Sequence, residues 1–221
     1  MPIAWSWSRI ETFEQCPRKF ELQNIKKPDN FKFETNEATE RGKKVHDALE
    51  KALLGQAELP EDLKHVAPII AKIQASFPEV QTEREIAWDK DKKLSSWFDT
   101  KVTMFRCALD VLAVDGTKAI IYDWKTGKAR EKPDQLRLYA AVVFMMYPEV
   151  QTVQTAFIFV EHMVVKDAIY HRDQFQKIWS EFEDRAELIQ IANDGGNWPP
   201  RKNGLCNWCK ATKDQCTYGK R

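Results

Sequence analysis

Asp110, Asp123, Lys125, His46 and four cysteines, Cys16, Cys206, Cys209 and Cys216, are the residues of this chain best suited to chemistry. In the segment Ala119-Ile120-Ile121-Tyr122-Asp123-Trp124-Lys125, residues two apart share one face of an extended strand. Asp123 and Lys125 therefore project together, while Tyr122 and Trp124 point away. Asp110 closes the run Arg106-Cys107-Ala108-Leu109-Asp110, and a turn at Val114-Asp115-Gly116-Thr117 folds one run back on the other. The two carboxylates then stand side by side, and two hard oxygen ligands at one sheet edge suit magnesium or manganese. Taken alone, Asp-x-Lys is more often a solvated strand face with alternating charge.

Two further pairs flank this strand. Gly42 and His46 lie one helical turn apart on one face; the glycine would let the backbone approach the sheet and leave room for the imidazole to reach a metal. A helical histidine beside Val45 and Leu49 is otherwise a packed or surface residue. Gln135 and Tyr139, also four apart, share a face of the helix after the strand. They would orient the lysine or touch a phosphate, or serve solubility alone.

Cys16 stands near one end of the chain and Cys206, Cys209 and Cys216 near the other, the latter as C-x2-C-x6-C. Four soft thiolates accept zinc or an iron–sulfur cluster, and either would join the two ends as a clasp. Five cysteines are an odd number, and no basic segment followed by an apolar stretch begins the chain. A reduced, cytoplasmic compartment is expected, where the close pair binds metal rather than forming a disulfide. The fifth, Cys107, reads as a small buried residue. No apolar run is long enough to span a membrane. The 34 Lys and Arg nearly cancel the 33 Asp and Glu, so total charge neither supports nor excludes a nucleic-acid partner.

The elements that must position these groups follow from periodicity. Ser8-Arg9-Ile10-Glu11 reads as a capping box opening a short helix through about Leu22, bent or broken by Pro17. A second helix spans Asn36 to Leu54, with Val45, Ala48, Leu49, Ala52 and Leu53 as its apolar stripe. A third, Pro60 to Phe77, is interrupted near Pro68. Strands Val80–Trp88, Lys101–Val114 and Lys118–Lys125 form an antiparallel meander. A helix from Lys132 to Tyr147, strands Thr152–Val160 and Met163–Tyr170, and an amphipathic helix Asp173–Asn193 follow. The tail from Trp198 has no periodicity, as expected of a loop folded around a metal. This is an α/β arrangement expected as a single domain: helical residues 1–78, a core at 79–171, a long helix at 172–196 and the tail at 197–221.

In their order, Cys16-Pro17 with Phe20, Gly42 with His46, Asp110, Asp123-Trp124-Lys125-Thr126-Gly127, Gln135 with Tyr139, and the cysteine tail resemble one family. It is the RecB-like branch of the PD-(D/E)XK nucleases, which includes the AddB nuclease domain and CRISPR-associated RecB-like exonucleases. The resemblance spans nearly the whole chain. It implies a restriction-endonuclease-like core, a mixed sheet flanked by helices, with N-terminal helices and a metal-clasped C-terminal tail. It also implies metal-dependent DNA exonuclease activity in recombination, repair or end processing, in a phage or CRISPR-adaptation setting, with single-stranded ends favoured.

By the same resemblance His46, Asp110, Asp123 and the Trp124 backbone carbonyl are metal ligands, Lys125 stands beside the attacking water, and Glu85 is an additional acid. Gln135 and Tyr139 join the catalytic group, and Cys16, Cys206, Cys209 and Cys216 hold a 4Fe-4S cluster, with zinc as the alternative. Cys107 departs from the glycine common three residues before the first aspartate. The chain lacks a phosphate-cradling G-x-x-x-x-G-K-[ST] loop, so unwinding would fall to a helicase or to a recombination or adaptation partner. Two rivals remain at this point: a non-catalytic DNA-end-binding module, and a zinc-stabilised interaction domain whose acids lie on a solvated face. Trp5, Trp7 and Trp97 are candidates for stacking on unpaired bases, with burial the ordinary fate of tryptophan.

Overall fold

The computed structural model describes residues 2–31, 36–77, 79–128 and 133–220. The chain forms two compact units, each assembled from separate stretches. One comprises Met1–Glu34, Ala87–Arg106 and Glu181–Arg221; the other comprises Thr35–Ile86 and Cys107–Ser180.

In the second unit a mixed sheet has the order β1 (Gln81–Trp88), β2 (Phe105–Asp115), β3 (Lys118–Lys125), β4 (Thr152–Phe159), β5 (Val164–His171). The far ends of β1 and β2 run into the other unit. β2 and β3 are antiparallel, in register from Asp115 opposite Lys118 to Val111 opposite Tyr122. Gly116, at φ +54°, supplies the left-handed turn residue between them. β3 and β4 are parallel, so the chain crosses over through helix α5 (Pro133–Met146), while β5 returns antiparallel to β4. The expected start of the α5 segment at Lys132 lies outside the described residues.

Helices cover both faces because the strands alternate. Trp124, Val111, Ile158 and Val160 pack with Val45, Leu49 and Leu53 of α3 (Glu37–Leu53) and Ile70 and Ile73 of α4 (Ala67–Ser76). Phe157 and Phe159, the alternate residues of β4, pack instead with Leu136 of α5. The start of α3 is fixed by a reciprocal cap in which Asn36 and Thr39 each satisfy the other's backbone amide at 2.9 Å. Pro68 does not interrupt a helix. A 3₁₀ segment, Glu61–Val66, precedes it, and Pro68 sits in the first turn of α4, where a missing N–H leaves no partner wanting.

In the first unit α1 (Trp7–Gln15) is capped by Ser6, which accepts from Arg9 N, and not by Ser8. The helix breaks at Cys16, and Pro17 opens α2 (Pro17–Phe20), which passes into a π-helical segment Glu21–Lys26. Phe20 stacks on Trp198 at 5.6 Å and Phe13 meets the same indole edge-on. Arg185 of α6 (Phe175–Asp194) grips Glu14 through two hydrogen bonds, 2.6 and 2.8 Å, and lies 4.7 Å from the Phe182 ring. The residues Lys101–Met104, expected in β2, are instead drawn into a turn by Asp99, whose carboxylate accepts from the amides of Lys101 and Val102. Trp5 is buried against Phe105, so it is withdrawn from any role in stacking on bases; Trp7 and Trp97 are half-buried.

The tail is folded tightly at Gly219. A Cβ there would lie 2.0 Å from the carbonyl oxygen of Thr212, a backbone atom that cannot swing aside. Gly219→Ala is therefore expected to destabilise the first unit by about 1–3 kcal/mol, the usual range for overpacking. Limited proteolysis should show faster cutting after Ala211, with unaltered cutting in β3 as the control.

Candidate functional site

The second unit brings His46, Glu83, Asp110, Asp123, Trp124, Lys125, Gln135 and Tyr139 together, and each is held by its element. The β2–β3 register, carried one step beyond Val111–Tyr122, places Asp110 across from Asp123. Asp110 Oδ2 accepts the Trp124 amide at 2.8 Å, so the strand backbone aims this carboxylate. From α3, His46 Nε2 lies 3.1 Å from the Trp124 carbonyl. A proton on Nε2 satisfies that carbonyl and leaves Nδ1 facing Asp110 Oδ2 at 3.6 Å and Glu83 Oε1 at 3.8 Å. The sequence argument for Gly42 is not supported, since an added Cβ would meet Thr126 Oγ1 at an ordinary 3.5 Å.

Asp123 is only 3% exposed, so it does not lie on a solvated face. Gln135, also buried, donates from Nε2 to Asp123 Oδ1 and to Tyr139 Oη, both at 2.9 Å. The pair at helical spacing thus positions the aspartate rather than the lysine. Lys125 Nζ lies 2.5 Å from Asp123 Oδ2 without the alignment of a hydrogen bond, and that buried oxygen has no other hydrogen-bond partner. The same ammonium lies 5.0 Å from the Phe157 ring centre, a cation–π distance that fixes it on the α5 side of the sheet.

The sequence missed Glu83 and favoured Glu85. Glu83 has φ +45°, which breaks the two-residue alternation of β1; its carboxylate joins His46 and Asp110, while Glu85 is exposed and outside the group. Among the described residues, the donor atoms of His46, Glu83 and Asp110 form a group of metal-ligating type, all within 4.8 Å of one another.

Buried carboxylates this close together favour added positive charge. Burial, and then the charge of Asp123, pushes the Asp110 carboxyl up to about 7, against the opposing pull of His46 and the Trp124 amide. Burial also raises Asp123, despite the adjacent ammonium of Lys125. Burial alone would lower His46, but the nearby carboxylates of Glu83, Asp110 and Asp123 outweigh it and raise its pKa. Protons thus substitute for missing positive charge. Together with the unaligned Asp123 oxygen, this fits a divalent cation held by oxygen and imidazole donors.

A second site lies in the first unit. Cys16, Cys206, Cys209 and Cys216 line one pocket, with Arg18, Leu22, Asn203 and Ala211. None is in a disulfide, all four are half-buried, and the amides of Arg201 and Asn203 each donate to a sulfur, Cys16 and Cys206, at 3.4 Å. No three of these sulfurs come within 4.8 Å of one another. Cys107, buried in β2, does not line this pocket, and burial followed by the Asp123 and Asp110 charges holds its thiol well above the usual range.

A mixed five-stranded sheet between helices, with carboxylates and a lysine on its central antiparallel pair, defines the restriction-endonuclease-like α/β class. The family model of the PD-(D/E)XK nuclease superfamily matches residues 4–217, and the chain belongs to that superfamily. Its members use divalent metals. A candidate exonuclease from Eubacterium rectale has the same fold: TM-score 0.52, 13% identity, covering 94% of this chain and 87% of that one. A further solved structure, SSO0001, is also 13% identical, over 95% of this chain and 83% of that one, at a TM-score of 0.42. A search of curated proteins gave no match.

Proposed function

We propose that this protein is a DNA exonuclease that hydrolyses phosphodiester bonds from single-stranded ends, in recombination, repair or end processing. The observation that carries this reading is the buried Asp123 with an unaligned oxygen, set between Lys125 and Gln135 and opposite Asp110. His46 through Nδ1, Asp110, Asp123 and the Trp124 carbonyl would hold magnesium or manganese, with Glu83 taking the place expected of Glu85. When bound, such an ion lowers the pKa of a water and draws charge from the phosphate. Lys125 offers a positive charge to the attacking water and to the oxyanion that develops at phosphorus. Gln135, braced by Tyr139, keeps Asp123 turned to the site, and the His46–Trp124 contact keeps the imidazole in one tautomer.

The cysteine site belongs to the same reading as a structural clasp. Four soft thiolates accept either a 4Fe-4S cluster or zinc, and the family resemblance favours the cluster. Protein purified without air is expected to be brown and to contain iron and acid-labile sulfide in equal amounts, with Cys209→Ser bleaching it. A colourless protein with one zinc would leave the clasp and remove the cluster. The setting, phage, CRISPR adaptation or host repair, and a helicase or recombination partner are part of this proposal and rest on the family resemblance.

The decisive assay uses end-labelled linear and circular DNA, single- and double-stranded, with manganese, magnesium or chelator. Metal-dependent loss of nucleotides from linear single strands, with circles spared, is the expected result. Equal cutting of circles would make the enzyme an endonuclease.

A further inference from the structure

The tail carries a charge that the rest of the chain hides. Residues 197–221 contain six Lys or Arg (Arg201, Lys202, Lys210, Lys213, Lys220 and Arg221) against Asp214 alone, while the preceding 196 residues hold 28 basic against 32 acidic. Four thiolates sharing a dication reduce that excess without reversing it. Two aromatic rings sit among these charges. Trp208, between Cys206 and Cys209, is 81% exposed, in contrast to Trp5, Trp88, Trp124, Trp179 and Trp198, all buried. Tyr218 is 43% exposed, and Lys202 Nζ lies 5.8 Å from its ring centre. Leu205 and Tyr218 border the cysteine pocket, so the platform is built on the same folded loop.

Burying an indole is the ordinary outcome, and this one is displayed on a rigid turn, the 3₁₀ segment Gly204–Trp208, capped by Asn203. Exposed rings interspersed with lysines match a flexible polyanion that offers flat faces, and duplex DNA offers no such faces along its length. We infer that the cysteine tail is a sequence-independent binding platform for single-stranded DNA, with Trp208 stacking on a base and Lys202, Lys210 and Lys213 contacting phosphates. This rests on the proposed nuclease function for its biological sense but not for its test. The platform would retain the strand that the enzyme shortens.

Binding of fluorescein-labelled oligo-dT to the intact protein in chelator, followed by anisotropy across a salt series, measures the platform without cleavage. Trp208→Ala should weaken binding about 5- to 100-fold, the range for one lost stack, and Trp208→Phe should retain most of it. Oligo-dT should quench wild-type tryptophan emission, and the quench should shrink sharply in Trp208→Phe. Replacing Lys202 and Lys213 by alanine should flatten the slope of log K against log salt by about 1.4, two phosphate contacts on a single strand. Visible absorbance and melting confirm that each variant keeps its fold. Hydrolysis of thymidine 5′-monophosphate p-nitrophenyl ester in manganese reports the chemistry without a DNA strand.

Wild-type affinity in Trp208→Ala, or an unchanged salt slope in the lysine variant, overturns the platform. So does equal weakening for duplex and single strand, since stacking then plays no part. If the ester and DNA are never hydrolysed yet Trp208→Ala still loses oligo-dT, the nuclease reading fails and the platform stands.

Discussion

Asp123→Ala and Lys125→Ala are each expected to lower DNA cleavage by at least about 10³-fold, with oligo-dT affinity in chelator held within a few-fold of wild type. Asp123 is the buried carboxylate in which three interactions meet: Gln135 on one oxygen, Lys125 on the other, and Asp110 across the sheet. Its loss removes the proposed metal ligand and the anchor of the lysine. The other basic residue of its strand, Lys118, stands at the opposite end, across from Asp115, and a positive charge at the developing oxyanion is the kind of interaction whose removal costs two to three powers of ten by itself. Gln135→Leu should produce a smaller loss, since it leaves Asp123 in place but unaimed. Single-turnover cleavage in manganese is the measurement, and wild-type turnover in either alanine variant would mean that the chemistry lies elsewhere.

Asp110→Asn is expected to make the metal-free protein more stable above pH 7 while abolishing its response to metal. The folded-state pKa of Asp110, about 7, lies above the ordinary value of 3.8. A group raised in this way contributes stability that is present in full below pH 3.8 and lost as pH rises toward and through 7. At pH 8 the buried, charged carboxylate therefore opposes folding, and asparagine relieves it by something on the order of 2 kcal/mol. The two proteins should differ little at pH 4.5. Magnesium or manganese reverses the order at pH 8: wild type gains melting temperature with metal concentration and the variant does not. Melting in chelator and in metal at both pH values gives four numbers, and a wild type that is more stable than Asp110→Asn in chelator at pH 8 contradicts the electrostatic account.

What the sequence conveyed is uneven, for physical reasons. The bounds of β3, Lys118–Lys125, were legible because a turn containing glycine is followed by an apolar, β-branched run that ends in charged residues. The pairing of Asp110 with Asp123 followed from that turn by counting. Glu83 was not legible, since a left-handed backbone at a glutamate carries no sequence signal, and it is Glu83 whose carboxylate reaches His46 and Asp110. Ser6 lost to Ser8 in the sequence because Ser8 has a glutamate three residues on, while the structure uses the serine that directly precedes the first helical turn. The hydrogen bond of Gln135 to Asp123 depends on α5 packing over the sheet, a tertiary fact that helical spacing alone cannot supply. Trp208 shows the same limit in reverse: tryptophan's average burial argues against the exposure it has.

The first unit draws on residues far apart in the chain: Ile3 with Gln190, Glu14 with Arg185 and Asn30 with Gln215 are each separated by more than 170 positions. Contacts at that separation close slowly, because loop entropy must be lost before they return any stabilisation. The second unit has all its strands and its carboxylates by Ser180. On the ribosome it is therefore the earlier unit to mature, while α1 emerges before its partners and waits for them until the cysteine tail appears. A chaperone that shields Ile10, Phe13 and Phe20 during that interval would raise the yield of intact protein, and chains released before the first unit closes would have a finished sheet but segments open to proteases.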